Sequence, residues 1–206
     1  MDLYGLCRKH FAPLLLLALT AGCFTTAQPQ PSQAEPAART NLVTPATPSA
    51  NHSYALIYDL LGDEKNVSKL LIIKRERSEL KEVVKAISQN AGEVHKQLEK
   101  FGKADPSLNL KDKGLPTAET AARESISKAK AKELLTEKGK DFELKLLLTQ
   151  NEALTYGEHL ATTAAQKETE PQRRKFLETL ARDMGQLRQR VASILAAHYT
   201  WAPDGK

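Results

Sequence analysis

Apolar residues in this chain fall into two patterns. Phe11 to Leu19 form a continuous apolar run behind the basic pair Arg8-Lys9. From about residue 53 onward, apolar residues instead recur at steps of three and four, with charged residues between them. Such steps put side chains on one face of an α-helix. Leu70, Ile73, Leu80, Val84, Ile87, Ala91, Val94, Leu98 and Phe101 hold that period, with Arg77 as the interruption. Two topologies satisfy the pattern: one helix across residues 64–103, or a hairpin turning at Lys74-Arg75-Glu76-Arg77-Ser78 with Ser78 as the N-cap. The turn is preferred, because a helix much longer than ~25 residues is unusual outside coiled coils and a hairpin lets both stripes face one core.

Gly102, Asp105, Pro106, Asn109 and Gly114 predict a long connection over about 104–116, and a helix restarting near Thr117. Ala118, Ala121, Ala122, Ile126, Ala129 and Leu134 give that helix a small-residue face, and Gly139 predicts its break. Phe142, Leu146, Leu147, Ala153, Leu154, Leu160, Ala161 and Ala164 carry the next helix to about Lys167. Thr169-Glu170-Pro171-Gln172 has the form of a capping box, with Thr169 as N-cap and Pro171 in the first turn, where its missing N–H is harmless. Leu177, Leu180, Met184, Leu187, Val191 and Ile194 define a last helix that frays near Tyr199.

The expected fold is therefore all-α: two antiparallel helical pairs joined by a long connection, an up-down four-helix bundle with a helical crossover. Gly139-Lys140-Asp141-Phe142 opening a helix, Glu158-His159-Leu160-Ala161 toward its end, and Pro171 through Asp183 beginning the last helix resemble the ferritin-like domain-of-unknown-function families of bacterial envelope proteins. The resemblance implies a ferritin-like bundle. Related families often carry a histidine after the aspartate of the last helix, where this chain has Met184 after Asp183.

The N-terminal run has the order of a secretory signal, basic then apolar then small. At roughly a dozen residues it is shorter than the ~20 a membrane-crossing helix needs. It ends in Leu19-Thr20-Ala21-Gly22-Cys23, which resembles the lipobox of bacterial lipoproteins, with Thr20 three positions before the cysteine. The resemblance implies cleavage before Cys23, acylation of its sulfur, and, with Phe24 rather than Asp next, residence at the outer membrane facing the periplasm. Two anchoring signals are enough for stable attachment when each buried methylene contributes ~0.8 kcal/mol. Beyond Cys23, Pro29, Pro31, Pro36, Pro45 and Pro48 are scattered among Gln, Ser, Thr and Ala, the composition of an extended tether. The expected organisation is a signal over 1–22, a tether over 23–52, a helical domain over 53–199 and a frayed tail over 200–206.

Chemistry is sparse. The only two cysteines are Cys7 and Cys23, so the helical domain has no thiolate for metal, catalysis or disulfides. There is no glycine-rich phosphate loop, no nucleophile elbow and no paired-histidine metalloprotease motif, and the reading is non-enzymatic, with no cofactor. A di-iron bundle places Glu-x-x-His on two helices. Here Gly92, Tyr156 and Leu195 stand three before His95, His159 and His198, so the alternative, a metal-binding bundle that stores or oxidises iron, would have to assemble across helices from Glu152, Glu158, His159 and Asp183. Tyr156 and Trp201 are read as core and tail. The net charge of +5 and a pI near 9.1 reflect basic groups in two places. Lys69, Lys74, Arg75, Arg77, Lys81 and Lys85 lie in the first pair, and Arg173, Arg174, Lys175, Arg182, Arg188 and Arg190 on the last helix. Expected partners are the membrane through the lipid anchor, and an envelope protein or anionic polymer. Nucleic acid is disfavoured by compartment and by the low aromatic content of 5%.

Overall fold

The computed structural model describes residues 48–72, 74 and 76–199; Cys23, the segment before Pro48, Ile73, Arg75 and Trp201 lie outside the described residues. The described residues form five α-helices and no strand: α1 (Pro48–Glu64), α2 (Ser78–Ala104), α3 (Thr117–Thr136), α4 (Gly139–Lys167) and α5 (Pro171–His198), with a short 3-10 helix at Val67–Ile72. Four of them, α1, α2, α4 and α5, supply nearly all of the common core.

Paired side chains give the directions. Tyr54 meets Glu168 and Leu60 lies by Gly157, so α1 and α4 run antiparallel. Tyr58 reaches Glu99 while Ser88 reaches the Lys65 carbonyl, which makes α2 antiparallel to α1. Arg188 pairs with Glu158 and Tyr199 with Glu143, reversing α5 against α4. Phe101 packs edge-on to Phe176, and His198 meets Glu79, reversing α5 against α2 as well. Since α2 and α4 then point the same way, the chain between them must travel back along the core, and α3 does so.

The stripes of α2, α4 and α5 bury the residues their spacing selects, among them Leu80, Val84, Ile87, Ala91 and Leu98, then Phe142, Leu146, Leu147 and Leu154, then Leu177, Leu180, Met184, Leu187 and Val191. The long connection spans the gap from Ala104 to Thr117 as expected. Gly139, at φ +55°, opens α4 in the left-handed region that only glycine enters without strain.

Four local expectations are corrected. Residues 64–103 are neither one helix nor a hairpin of two: the chain does turn before Ser78, but Leu70 belongs to the 3-10 segment, and the first partner helix is α1, upstream. That helix begins at Pro48, inside the stretch assigned to the tether, and buries Tyr54, Ala55, Ile57, Leu60 and Leu61. Ser78 is the first helical residue and not the N-cap; Arg77 holds that position without a side-chain cap, and its N–H donates to Glu143 Oε1 at 3.2 Å. The N-cap of α5 is Glu170, not Thr169: its carboxylate accepts from the N–H groups of Gln172 (2.9 Å) and Arg173 (2.6 Å), two charge-assisted bonds that a threonine hydroxyl would not match.

The small-residue face of α3 is largely exposed. Only Ser127, Ala131 and Leu134 of this helix are buried, and it packs mainly along α4, through Lys130 with Glu152, Lys145 with Glu133, and Arg123 over the Tyr156 ring. Its C-terminal end is held from the other side. Lys74 donates to the carbonyls of Leu135 (3.0 Å) and Glu137 (2.6 Å), where a cation suits the negative end of the helix dipole.

Truncation should separate core from periphery. Phe142→Ala, at a ring with no exposed surface, is expected to destabilise by about 3–5 kcal/mol, and Ile126→Ala on α3 to change stability by no more than about 0.5 kcal/mol. Denaturant unfolding of the two variants is the check, and comparable losses would contradict this division of the fold.

Candidate functional site

Polar groups enter the helical core at four places, each set by a residue that sits in apolar register on its helix. At the α4–α5 corner, Glu168 accepts from the Tyr54 hydroxyl, from Arg173 Nε at 3.0 Å and from the Glu170 N–H at 2.9 Å. Arg173 also reaches Asp105 at 2.8 Å, beyond the end of α2, and the Arg174 guanidinium donates to the Glu168 carbonyl. Burial would raise the Glu168 pKa, but the bonds from Arg173 and Tyr54 outweigh it and hold the carboxyl below its ordinary range. Tyr54 moves far up, first through burial and then through its bond to Glu168.

Between the 3-10 segment and α2, Arg77 pairs with Glu143 at 2.8 Å and Tyr199 donates to the same carboxylate at 2.9 Å. Burial, then the hydrogen bond and charge of the adjoining Glu143, push Glu76 up to about 7, while the bonds from the Arg77 N–H and Tyr199 hold Glu143 below its ordinary range. On the outer side of the α1–α2 pair, the buried His95 ring stacks on Tyr58 with centroids 4.0 Å apart. Lys65 Nζ lies 3.2 Å from His95 Nε2, and Glu99 bonds the Tyr58 hydroxyl at 3.1 Å. Desolvation and then the Lys65 charge lower the His95 pKa, which keeps the imidazole neutral at physiological pH.

The fourth place is the centre of the core. Glu64, the last residue of α1, is 4% exposed, and Gln150 of α4 is fully buried. Burial pushes Glu64 up to about 7, offset in part by the Gln150 amide nearby. Its neighbour Asp63 is pushed to about 10, by burial first and then by the charge of Glu64.

The sequence-selected residues are placed otherwise. Glu152 pairs with Lys130 on α3, Glu158 with Arg188 on α5, Asp183 has Arg182 at 3.8 Å and His159 is exposed, so the structure does not bring these four together. Among the described residues no group of three or more His, Cys, Asp or Glu is placed to hold a metal ion. No described helix is long and apolar enough to cross a membrane. Of the basic residues, Lys74, Arg77, Arg173, Arg174 and Arg188 make the internal contacts given above, whereas Lys69, Lys85, Lys175, Arg182 and Arg190 are exposed. Tyr156 is half-buried under Arg123.

Comparison with protein-family models, with curated proteins and with solved structures gives no match to this chain.

Two sets of variants test these polar clusters. Glu168→Ala leaves Arg173 with Asp105 as its one carboxylate and strands the buried Tyr54 hydroxyl, and should destabilise by about 3–5 kcal/mol, against about 1–2 kcal/mol for Tyr54→Phe, which leaves the ion pair standing; equilibrium unfolding gives the order. For Glu64, a folded pKa of about 7 against an ordinary 4.5 means the native state holds the proton more tightly. This contribution to stability is fully present below about pH 4.5 and is lost as pH rises to about 7. Glu64→Gln, which cannot ionise, should match the native protein near pH 4 and exceed its stability by on the order of 3 kcal/mol above pH 7. Parallel pH-stability curves would refute the assignment.

Proposed function

We propose that the protein is a lipid-anchored envelope protein whose helical domain acts as a non-enzymatic binding or structural module, held at the outer membrane on its periplasmic side. The observation that carries this reading is the small-small-cysteine sequence Ala21-Gly22-Cys23 closing a short apolar run behind basic residues. The proline-scattered segment after it, up to the first helix at Pro48, supports a tether. The helical domain is further proposed to be a ferritin-like four-helix bundle. Two antiparallel pairs, α1–α2 and α4–α5, connected by the returning helix α3, support that assignment.

Interaction through the surface is favoured over chemistry in the core, because the polar groups around Glu168, Glu143 and His95 are engaged with one another across helices, as scaffolding groups are. Lys175, Arg182 and Arg190 recur at seven and eight residues along exposed positions of α5 and offer a basic face to an anionic polymer, a headgroup or an acidic envelope protein.

Mass spectrometry of Cys23 in protein taken from membranes tests the anchor, with a diacylglyceryl-modified N-terminal cysteine as the expected species. Cys23→Ala should move the protein from the detergent-rich phase to the aqueous phase. A bare Cys23 in membrane-derived protein would overturn the proposal. Crosslinking in intact cells tests the basic face: charge reversal at Lys175, Arg182 and Arg190 is expected to remove at least one crosslinked partner, and an unchanged set would remove that part of the reading.

A further inference from the structure

We infer that the core holds a single structural water between α1, α2 and α4, bound by Glu64 and Asn90, with the Gln150 amide behind the carboxyl. Three observations meet at this point. Glu64 Oε2 and both amide atoms of Gln150 are sealed from solvent with no hydrogen-bonding protein partner. These atoms come from residues 4% and 0% exposed, so bulk water does not reach them. Beside Glu64 lies a cavity of about 10 Å³, lined also by Asn90, Leu61, Ala91, Ala153 and Met184.

That space is about the room of one water molecule and of nothing larger. A dry apolar cavity of this size would stay empty, but this one has a carboxyl and a side-chain amide in its wall and a second amide close behind the carboxyl. Buried polar groups are nearly always satisfied, and leaving one unsatisfied costs about 1–3 kcal/mol. Water fits the donor set better than a direct bond. Glu64 Oε2 has no protein partner, the Asn90 amide shares the cavity wall with it, and a molecule that both donates and accepts would serve the carboxyl and that amide together. A metal ion is a poor occupant, since one carboxyl and two amides offer too little negative charge and the space is too small for its shell.

The water would tie the last turn of α1 to the middle of α2 at one level of the core, against the wall that Ala153 and Leu154 of α4 supply. This is a site distinct from the proposed anchor and does not depend on it. The test is nuclear Overhauser transfer from solvent to alanine methyl groups in the full chain, isotopically labelled at alanine. Ala91 and Ala153 line the cavity, and cross-peaks from a long-lived water to both methyls are expected. Glu64→Leu, which fills the space with hydrocarbon, is expected to abolish them and to leave exposed Ala118 and Ala121 signals unchanged. Absence of transfer to Ala91 and Ala153 in the native chain would overturn the inference. Should Glu64→Leu fail to fold, Asn90→Leu serves instead: lost or weakened transfer supports the water, and unaltered transfer overturns it.

Discussion

The carboxylate of Glu168 governs the corner on which four helix ends converge. It lies in the turn between α4 and α5, it receives the Tyr54 hydroxyl from the start of α1, and through Arg173 it is linked to Asp105 at the end of α2. A buried ion pair seldom adds net stability over apolar residues of the same volume, because desolvation consumes most of the Coulombic gain. What it supplies here is register. Apolar stripes tolerate sliding by a turn, since one leucine replaces another, whereas a guanidinium that must satisfy two carboxylates has one acceptable position. With no cysteine between residues 48 and 199, no disulfide can fix that alignment, and polar pairing is the remaining device that specifies it.

The same logic recurs toward the opposite end, where Arg77 and Tyr199 converge on Glu143 and Lys74 closes the end of α3. Between the two ends lie Glu64 and Gln150. The core is thus apolar along its length and polar at three levels, and each level joins helices that are far apart in sequence. Several of the basic residues that make the composition look like a surface-binding protein are used up in this way. Charge counted along a sequence overstates the charge a partner meets, because Arg173, Arg174 and Arg188 are directed inward or along the surface to carboxylates and carbonyls of the same chain.

Legibility of the fold followed the strength of the stripe. In α2, α4 and α5, leucine, isoleucine and valine repeat over several turns, and the spacing selects the residues that the structure buries. In α1 the signal is diluted: the helix opens at a proline, its apolar face is built from Tyr54, Ala55, Ile57, Leu60 and Leu61, and it ends on a buried glutamate, so that over its first turn, up to His52, composition favours a tether where the chain forms a helix. Caps were misread for a chemical reason. Hydroxyl side chains dominate at N-caps on average, but a neighbouring glutamate offers two anionic oxygens, and at Glu170 that advantage decides. The internal polar groups did leave a trace in the sequence. Glu64 follows Leu60 and Leu61 at four and three residues, Gln150 follows Leu146 and Leu147 at the same steps, and His95 falls four after Ala91. A polar residue standing where the period demands an apolar one was the available sign, and it names the residue but not its partner, which lies on another helix.

The helix α3 shows what happens when a helix packs mainly against one neighbour. Alternating alanine with lysine and glutamate makes it a good helix former by intrinsic propensity, so it needs little tertiary support to remain helical. Its small-residue face looked like a packing surface, yet packing needs an opposing surface. The four other helices already satisfy one another around a closed core, leaving α3 mainly the outer side of α4. The face it buries is therefore the one carrying Ser127, Ala131 and Leu134, and its alanines are exposed because nothing in the described chain is left to cover them. With so little apolar area held in place, the returning helix draws its stability from propensity, from ion pairs to α4 and from the lysine at its end, which places it at the low end of the range over which this protein opens locally.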